Sequence, residues 1–120
     1  MGPPVAGEAL EQDKLDEMMS TARDATDFLK AIAHEGRLLT LCHLSTGEKT
    51  VTDLEKLLSA RQAAVSQQLA RLRLEGLVQN RREGKAIYYS LADERAERMI
   101  RLLYDMFCAS DASAETAKAG

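Results

Sequence analysis

Long hydrophobic runs and a secretory leader are both missing from this 120-residue sequence. No apolar run approaches the roughly 20 residues that a membrane-spanning helix needs. The first residues, MGPPVAGEALEQDKLDE, have neither a basic start nor an apolar stretch, so we expect no signal peptide. These absences predict a protein without a membrane partner that works in the cytoplasm.

Cysteine is also scarce, since Cys42 and Cys108 are the only two and stand 66 positions apart. In a cytoplasm that keeps thiols reduced, such a pair is more often catalytic, metal-binding or redox-sensing than a structural disulfide. A nucleophilic enzyme is disfavoured, because His43 is the sequence neighbour of Cys42 rather than an opposed base. A glycine loop that could bind phosphate is absent as well, so we predict that the chain is not an enzyme.

Positive charge is in the minority overall, but it is concentrated in one segment. The net charge is −3, yet residues 61–85 hold six cations against Glu75 and Glu83, a net of +4 that leaves −7 for the rest. A basic stripe on an acidic body is typical of a nucleic-acid-binding protein. The alternative is an ordinary solvated charged face. The six cations are Arg61, Arg71, Arg73, Arg81, Arg82 and Lys85.

The length predicts one domain with tails, and a core small enough that helices at its ends pair with a second copy. We expect a disordered tail over 1–7, a folded domain over 8–109 and a flexible tail over 110–120. The expected assembly is a homodimer.

The spacing of apolar residues predicts a mostly α fold with a β-hairpin, in the order α-α-α-α-β-β-α. Alternation from Ile87 to Leu91, after a turn at Glu83 and Gly84, predicts the hairpin. Asp93 is the expected N-cap of the last helix. The other predicted helices span 8–33, 34–44, 51–58 and 62–75. The last helix is expected to turn inward its residues Ala96, Met99, Ile100, Leu103, Met106 and Phe107.

The third and fourth helices, joined by a tight turn, form a predicted helix-turn-helix arrangement. Val65, Leu69 and Leu72 follow an i, i+4, i+7 spacing and should anchor the fourth helix to the core. Glutamine can bond two atoms on an adenine edge and serine can bond either base partner, so the opposite face suits a DNA major groove. An ordinary hydrated helix face is the alternative. The predicted groove-facing residues are Gln62, Ala63, Ser66, Gln67 and Ala70.

Cations near the end of this helix and on the hairpin complete the predicted DNA interface. Arg71 is placed for a phosphate contact, and Arg81, Arg82 and Lys85 stand at the hairpin tip. Such a projecting basic hairpin suits the negative potential of a minor groove or the flanking phosphate backbone.

Several segments together resemble the ArsR/SmtB-type bacterial repressors over about residues 25–109. The resemblance implies a winged-helix homodimer whose outer helices form the interface and which represses from an inverted-repeat operator. One departure is Arg61, where the family often has a serine cap. The matching segments are FLKAIAHEGRL (28–38), AVSQQLARL (64–72), EGLV (75–78), RREGK (81–85) and YYSL (88–91).

The metal sites of that family are largely missing from this chain. In one, two cysteines of the third helix are replaced here by Thr50 and Thr52, which are poor ligands for soft metals. In the other, three of four ligands are gone, because only Asp93 is retained. We therefore expect no metal and no cofactor. A zinc site of Cys42, His43 and Cys108 is the alternative.

The two cysteines resemble the pair in the persulfide-sensing branch of the family, typified by SqrR and BigR. The resemblance implies that per- or polysulfides join Cys42 and Cys108 by a disulfide or a longer sulfur bridge, and that the joined form releases DNA. A general thiol-disulfide redox repressor is the alternative. For Cys42 alone, a small buried apolar role beside Leu38 and Leu41 is equally compatible with the pattern.

Overall fold

The computed structural model describes residues 12–109 of the chain, with side chains from 12 to 108. Within this part, the predicted element order is confirmed. The elements are α1 (Gln12–Ile32), α2 (Glu35–Leu44), α3 (Val51–Leu58), α4 (Gln62–Leu74), β1 (Val78–Glu83), β2 (Ala86–Leu91), α5 (Glu94–Tyr104) and a π-helical turn (Asp105–Ala109). The predicted tails, 1–7 and 110–120, and the predicted start of the first helix lie outside the described residues. None of the helices described has the length and apolar content to cross a bilayer.

The core lies where α2 packs against α3, α4 and α5. The predicted anchors of α4, namely Val65, Leu69 and Leu72, are all fully buried, because their spacing places them on one face of a helix with 3.6 residues per turn. The other buried apolar residues are Ala31, Ile32, Leu41, Leu44, Leu54, Leu77, Val78, Ala96 and Ile100.

Polar groups at the helix ends explain most of the helix boundaries. Helix α2 begins one residue later than predicted, because the His34 ring nitrogen Nδ1 accepts the Arg37 backbone N–H at 3.3 Å and makes His34 the N-cap. Helix α3 begins with a reciprocal pair, in which the Thr50 hydroxyl accepts from the Asp53 N–H at 3.1 Å and Asp53 accepts from the Thr50 N–H at 3.0 Å. These bonds hold the pKa of Asp53 below its usual value.

Helix α4 begins without a side-chain hydrogen bond at its N-cap. Arg61 is its N-cap and makes no side-chain capping bond, so the departure from the family's serine removes a cap without moving the start of the helix. The preceding turn contains Ser59 in the left-handed region, at φ 51°. Glu75 is the C-cap, and the helix therefore ends one residue before the predicted limit.

The hairpin, which we call the wing (Val78–Leu91), has its turn at Gly84 and Lys85. The sequence prediction of Glu83 and Gly84 is off by one residue, because Glu83 still pairs with Ala86 in the antiparallel register. Gly84 takes a φ of 63°, which favours glycine at the first central position of a tight hairpin turn. The base of the wing also pairs with the α2–α3 loop through Lys49 and Tyr89, with N–O distances of 3.0 and 2.8 Å.

The outer helices leave many apolar side chains exposed. Met106 and Phe107, predicted to point inward, are 55% and 64% exposed, so that expectation is wrong for the described chain. Both belong to the π-helical turn, which follows the last core contact of α5 at Ile100. The further exposed apolar residues of the outer helices are Leu15, Met18, Met19, Leu29, Leu102 and Tyr104.

Candidate DNA interface and thiol pair

The outer face of α4 presents the predicted groove-facing residues to solvent. Because Val65, Leu69 and Leu72 are buried beneath it, the helix cannot rotate without exposing apolar surface. This face of small and hydrogen-bonding side chains is therefore held in one direction by the core, as base contacts in a major groove require. The exposed residues of this face are Gln62, Ala63, Ser66, Gln67 and Ala70. Their contact with DNA stays a prediction.

Two of the predicted wing cations are exposed and available. Within residues 12–108, Arg82 and Lys85 have no ion-pair partner. Arg71, in the last turn of α4, pairs with Glu75 at 3.2 Å across the exposed helix surface. Exposed pairs of this kind contribute little, so Arg71 can exchange its carboxylate for a phosphate.

The third wing cation, Arg81, is already engaged within the protein. Its Nε and Nη2 donate to the two carboxylate oxygens of Glu48 at 2.7 and 2.9 Å, and its Nη1 donates to Glu83 at 2.8 Å. Its guanidinium also lies 4.8 Å from the centre of the Tyr88 ring. The hydrogen bonds from Arg81 hold the pKa of Glu48 below its usual value. Arg81 therefore joins the wing to the α2–α3 loop, and its predicted contact with DNA stays a prediction.

The two cysteines line the same cavity, between α2 and the end of α5. Cys42 is half-buried on α2 and Cys108 is exposed on the π-helical turn, and both are free thiols. The cavity has a volume of about 700 Å³, and most of its lining is apolar. Its other apolar lining residues are Leu38, Leu39, Ile100, Leu103, Tyr104 and Phe107.

The surroundings make the two thiols chemically unequal. Burial raises the pKa of Cys42, and the negative charge of the Cys108 thiolate raises it further. Both effects disfavour the Cys42 thiolate, because it would lose water and meet a like charge. Cys108 is the more accessible sulfur. The charged residues of the cavity, Glu97 and Arg101, pair with each other at 2.9 Å.

Two contacts that position the candidate DNA interface were not predicted from the sequence. Glu48 was not singled out, although it accepts two of the three hydrogen bonds from Arg81, across 33 residues of chain. Gln68 was not singled out either, although it links the recognition helix α4 to Thr40 of α2. A carboxylate in a loop and an amide on a polar helix have no local signature, so neither contact had a signal in the sequence.

The described side chains hold no arrangement of three or more His, Cys, Asp or Glu that could bind a metal ion. Asp93, the one retained position of the family's second site, caps α5 by accepting from the Arg95 N–H at 2.7 Å and from its guanidinium at 2.6 Å. That pairing lowers the pKa of Asp93. The expectation that no metal binds stays a prediction.

Comparison with known proteins gives consistent matches. The family model described as bacterial regulatory protein, arsR family, matches residues 34–80. The chain is 44% identical to the biofilm growth-associated repressor of Agrobacterium fabrum, over 81% of this chain and 83% of the relative. It is 40% identical to the transcriptional activator HlyU of Vibrio cholerae, over 78% of this chain and 87% of the relative.

Solved structures agree with these sequence relatives. Reduced HlyU from Vibrio cholerae superposes with a TM-score of 0.74, covering 77% of this chain and 97% of that one at 40% identity. The transcriptional repressor BigR from Xylella fastidiosa gives 0.72, covering 79% and 94% at 37% identity. These matches confirm the winged-helix fold and the ArsR/SmtB-type resemblance. The chain belongs to the arsR family of bacterial regulatory proteins, which are DNA-binding transcription regulators and not enzymes.

Proposed function

We propose that this regulator is a homodimeric repressor that senses reactive sulfur. In the untreated state, two copies bind an inverted-repeat operator in the cytoplasm through their α4 helices and wings. Per- or polysulfides then join Cys42 and Cys108 by a disulfide or a longer sulfur bridge, and the joined form releases the operator. Release derepresses the genes that it controls, for which sulfide metabolism is the expected class.

The DNA-binding part of the proposal is supported by two groups of exposed side chains, one suited to base edges and one suited to phosphates. Gln67 and Ser66 stand on the outer face of α4, where glutamine and serine can bond base edges. Arg82 and Lys85 stand at the tip of the wing without an ion-pair partner in the described chain. Unpaired cations there favour phosphate contact, which provides affinity rather than sequence specificity.

The homodimer is supported by the apolar surface that α1 and α5 leave uncovered. Met19, Leu102 and Phe107 are each more than half exposed in the single chain. We infer that these exposed apolar side chains form part of an interaction surface. A second copy would cover it and would hold two recognition helices for half-sites about 34 Å apart.

The sensing part of the proposal depends on one observation, that Cys42 and Cys108 line a single cavity. Cys108 is exposed and attacks first, while Cys42 is half-buried with a raised pKa and resolves the product. Relatives include a repressor and an activator, and HlyU has a structure of its reduced form. Those descriptions support transcriptional control and a relative for which the reduced form is distinguished.

The sulfur chemistry balances with a persulfide RSSH as the oxidant. The Cys108 thiolate attacks the terminal sulfur of RSSH, the S–S bond breaks, and RSH leaves after taking up a proton. The Cys42 thiolate then attacks the Sγ atom of the Cys108 persulfide and expels HS⁻, so that two thiols become a disulfide while the persulfide is reduced to RSH and H₂S. Each further bridging sulfur consumes one more RSSH and releases one more RSH.

The bridge would act on DNA affinity through the arrangement of the helices. Cys108 lies in the π-helical turn that follows α5, and Cys42 lies on α2, which packs against α4. Joining the sulfurs holds the end of α5 against α2 and changes how the two copies face each other. A small change of this kind costs affinity, because both recognition helices must fit their half-sites together.

The decisive experiment measures operator binding by the wild type, Cys42→Ser and Cys108→Ser, each with and without a persulfide donor. All three proteins should bind when untreated, and only the wild type should release DNA after treatment. Release by either single-cysteine variant would contradict the bridge, because one thiol would then be enough.

A general redox repressor is the second candidate, and the reduced form of HlyU among the relatives favours it. Mass spectrometry after treatment with glutathione persulfide or with peroxide separates the two candidates. Extra sulfur between Cys42 and Cys108 only after persulfide supports the first proposal. Loss of two hydrogens after either oxidant, with equal release of DNA, supports the second.

A further inference from the structure

Helix α4 lies against the first turn of α2, where its residue Gln68 meets Gly36. A Cβ atom built on Gly36 would stand 2.1 Å from Nε2 and 2.8 Å from Cδ of Gln68. Both distances are far below van der Waals contact, so the Gln68 amide occupies the space that any other residue at position 36 would fill. The place of the Gln68 amide against α2 therefore depends on the missing side chain at position 36.

Thr40 holds the same amide by a hydrogen bond. Its side chain is fully buried, and its hydroxyl lies 3.0 Å from Oε1 of Gln68 and 2.8 Å from the carbonyl oxygen of Gly36. The hydroxyl has one proton to donate, and both acceptors are within its reach. This partly buried hydrogen bond between the two helices favours one relative arrangement of them.

The contact joins the two helices on which the function depends. Thr40 precedes Cys42 by two positions on α2, whereas Gln68 follows Gln67 on α4. Gln67 is exposed toward the predicted groove, and Gln68 is half-buried toward α2. The adjacent glutamines thus face about 100° apart around the helix axis.

We infer that Gln68 is a positioning residue for DNA binding, which adds to the buried anchors of α4 a polar contact with α2 at Gly36 and Thr40. It touches no base, and it acts by presenting Ser66 and Gln67 in the correct direction. This inference rests on the proposed role of the outer α4 face in binding DNA, but it is independent of the thiol chemistry.

The test is a double-variant comparison of Gly36→Ala and Gln68→Ala, measured as operator affinity. Gly36→Ala forces the Gln68 amide out of its place and should weaken binding about 10-fold, the effect of one poorly aligned base contact. Gln68→Ala should weaken binding by a similar factor, because α4 loses its hydrogen bond to α2. In the Gln68→Ala background, Gly36→Ala should have little further effect, because the clash with the amide is gone and only the His34 ring carbon Cε1, at 3.2 Å, has to shift slightly.

Two readouts distinguish positioning from a general loss of structure. Thermal unfolding of Gly36→Ala should stay near that of the wild type, because alanine is a better helix former than glycine. The dependence of affinity on salt concentration should also be unchanged, because no phosphate contact is removed. The inference would be overturned if each single variant lost operator affinity and thermal stability in parallel, and if the losses of the two variants added in the double variant.

The control is Gln67→Ala, which removes a proposed base contact and leaves Gln68 in place. If Gln67→Ala weakens binding while Gly36→Ala and Gln68→Ala bind normally, positioning by Gln68 is wrong and the DNA-binding face stands. If all three variants bind the operator like the wild type, the proposed role of this α4 face fails together with the inference.

Discussion

The DNA-binding region (residues 34–91) and the outer helices α1 and α5 differ in how many of their large apolar side chains they bury. In the first, Leu41, Leu54 and Leu69 are almost completely buried within one chain. In α1 Met19 is 62% exposed, and in the π-helical turn after α5 Phe107 is 64% exposed. One chain is therefore enough to bury the core of the helix-turn-helix and its wing, whereas the outer helices keep exposed apolar side chains that we propose are covered in an assembly. We attribute that role to a second copy.

The largest expected effect comes from placing charge on the outer helices. Met19→Glu together with Leu102→Glu should abolish the dimer, because two apolar contacts would be replaced by buried carboxylates. Operator affinity should then fall by about 100-fold or more, since binding of the second half-site is no longer intramolecular. Light scattering after size-exclusion chromatography and a binding titration measure the two effects.

The matched control for that prediction is Leu74→Glu, which places the same charge on a leucine that is 82% exposed at the end of α4. It should leave the oligomeric state unchanged. A monomeric wild type, or a dimer in the double variant, would contradict the role assigned to α1 and α5.

A smaller effect is expected at the wing, where the cations differ in their partners. Lys85→Gln should lower the slope of log affinity against log salt by about 2 in the dimer, because one phosphate contact is lost in each copy. Glu48→Gln should leave that slope nearly unchanged and weaken binding only by releasing the wing from the α2–α3 loop. Titrations at several salt concentrations measure both. A larger change in slope for Glu48→Gln than for Lys85→Gln would reverse the assignment.

The smallest effect concerns the two thiols. Cys42 belongs to the DNA-binding region, and Cys108 follows the outer helix α5 in the π-helical turn. Iodoacetamide should modify Cys108 before Cys42, because Cys108 is exposed and the pKa of Cys42 is raised. The rate at Cys42 should keep rising with pH beyond the pKa of an ordinary thiol. In Cys108→Ser the like charge is gone, so Cys42 should react slightly faster at the same alkaline pH. Burial should still keep Cys42 much slower than Cys108 is in the wild type. Peptide mass spectrometry against time and pH measures each rate, and faster labelling of Cys42 would contradict the prediction.

Much of the fold was predictable because its signals are local. The i, i+4, i+7 spacing of Val65, Leu69 and Leu72 predicts a buried helix face wherever the helix is placed, and the structure confirms it. Asp93 before a run of helix formers is the N-cap in the structure, as the sequence predicts. The hairpin was also predicted, but its turn was one residue off, because the pairing of Glu83 with Ala86 depends on both strands.

The sequence by itself determined the element order, the anchored face of α4, the basic wing and the scarcity of thiols, because these depend on residue type and short-range periodicity. Only the tertiary structure decided which side chains meet. It put Cys42 and Cys108 on one cavity, engaged Arg81 with Glu48, and set Gln68 against Gly36. It also left Phe107 exposed, although its spacing had indicated the core. The physical reason is that contacts between residues far apart in the chain depend on how whole elements pack, and no local pattern encodes that geometry.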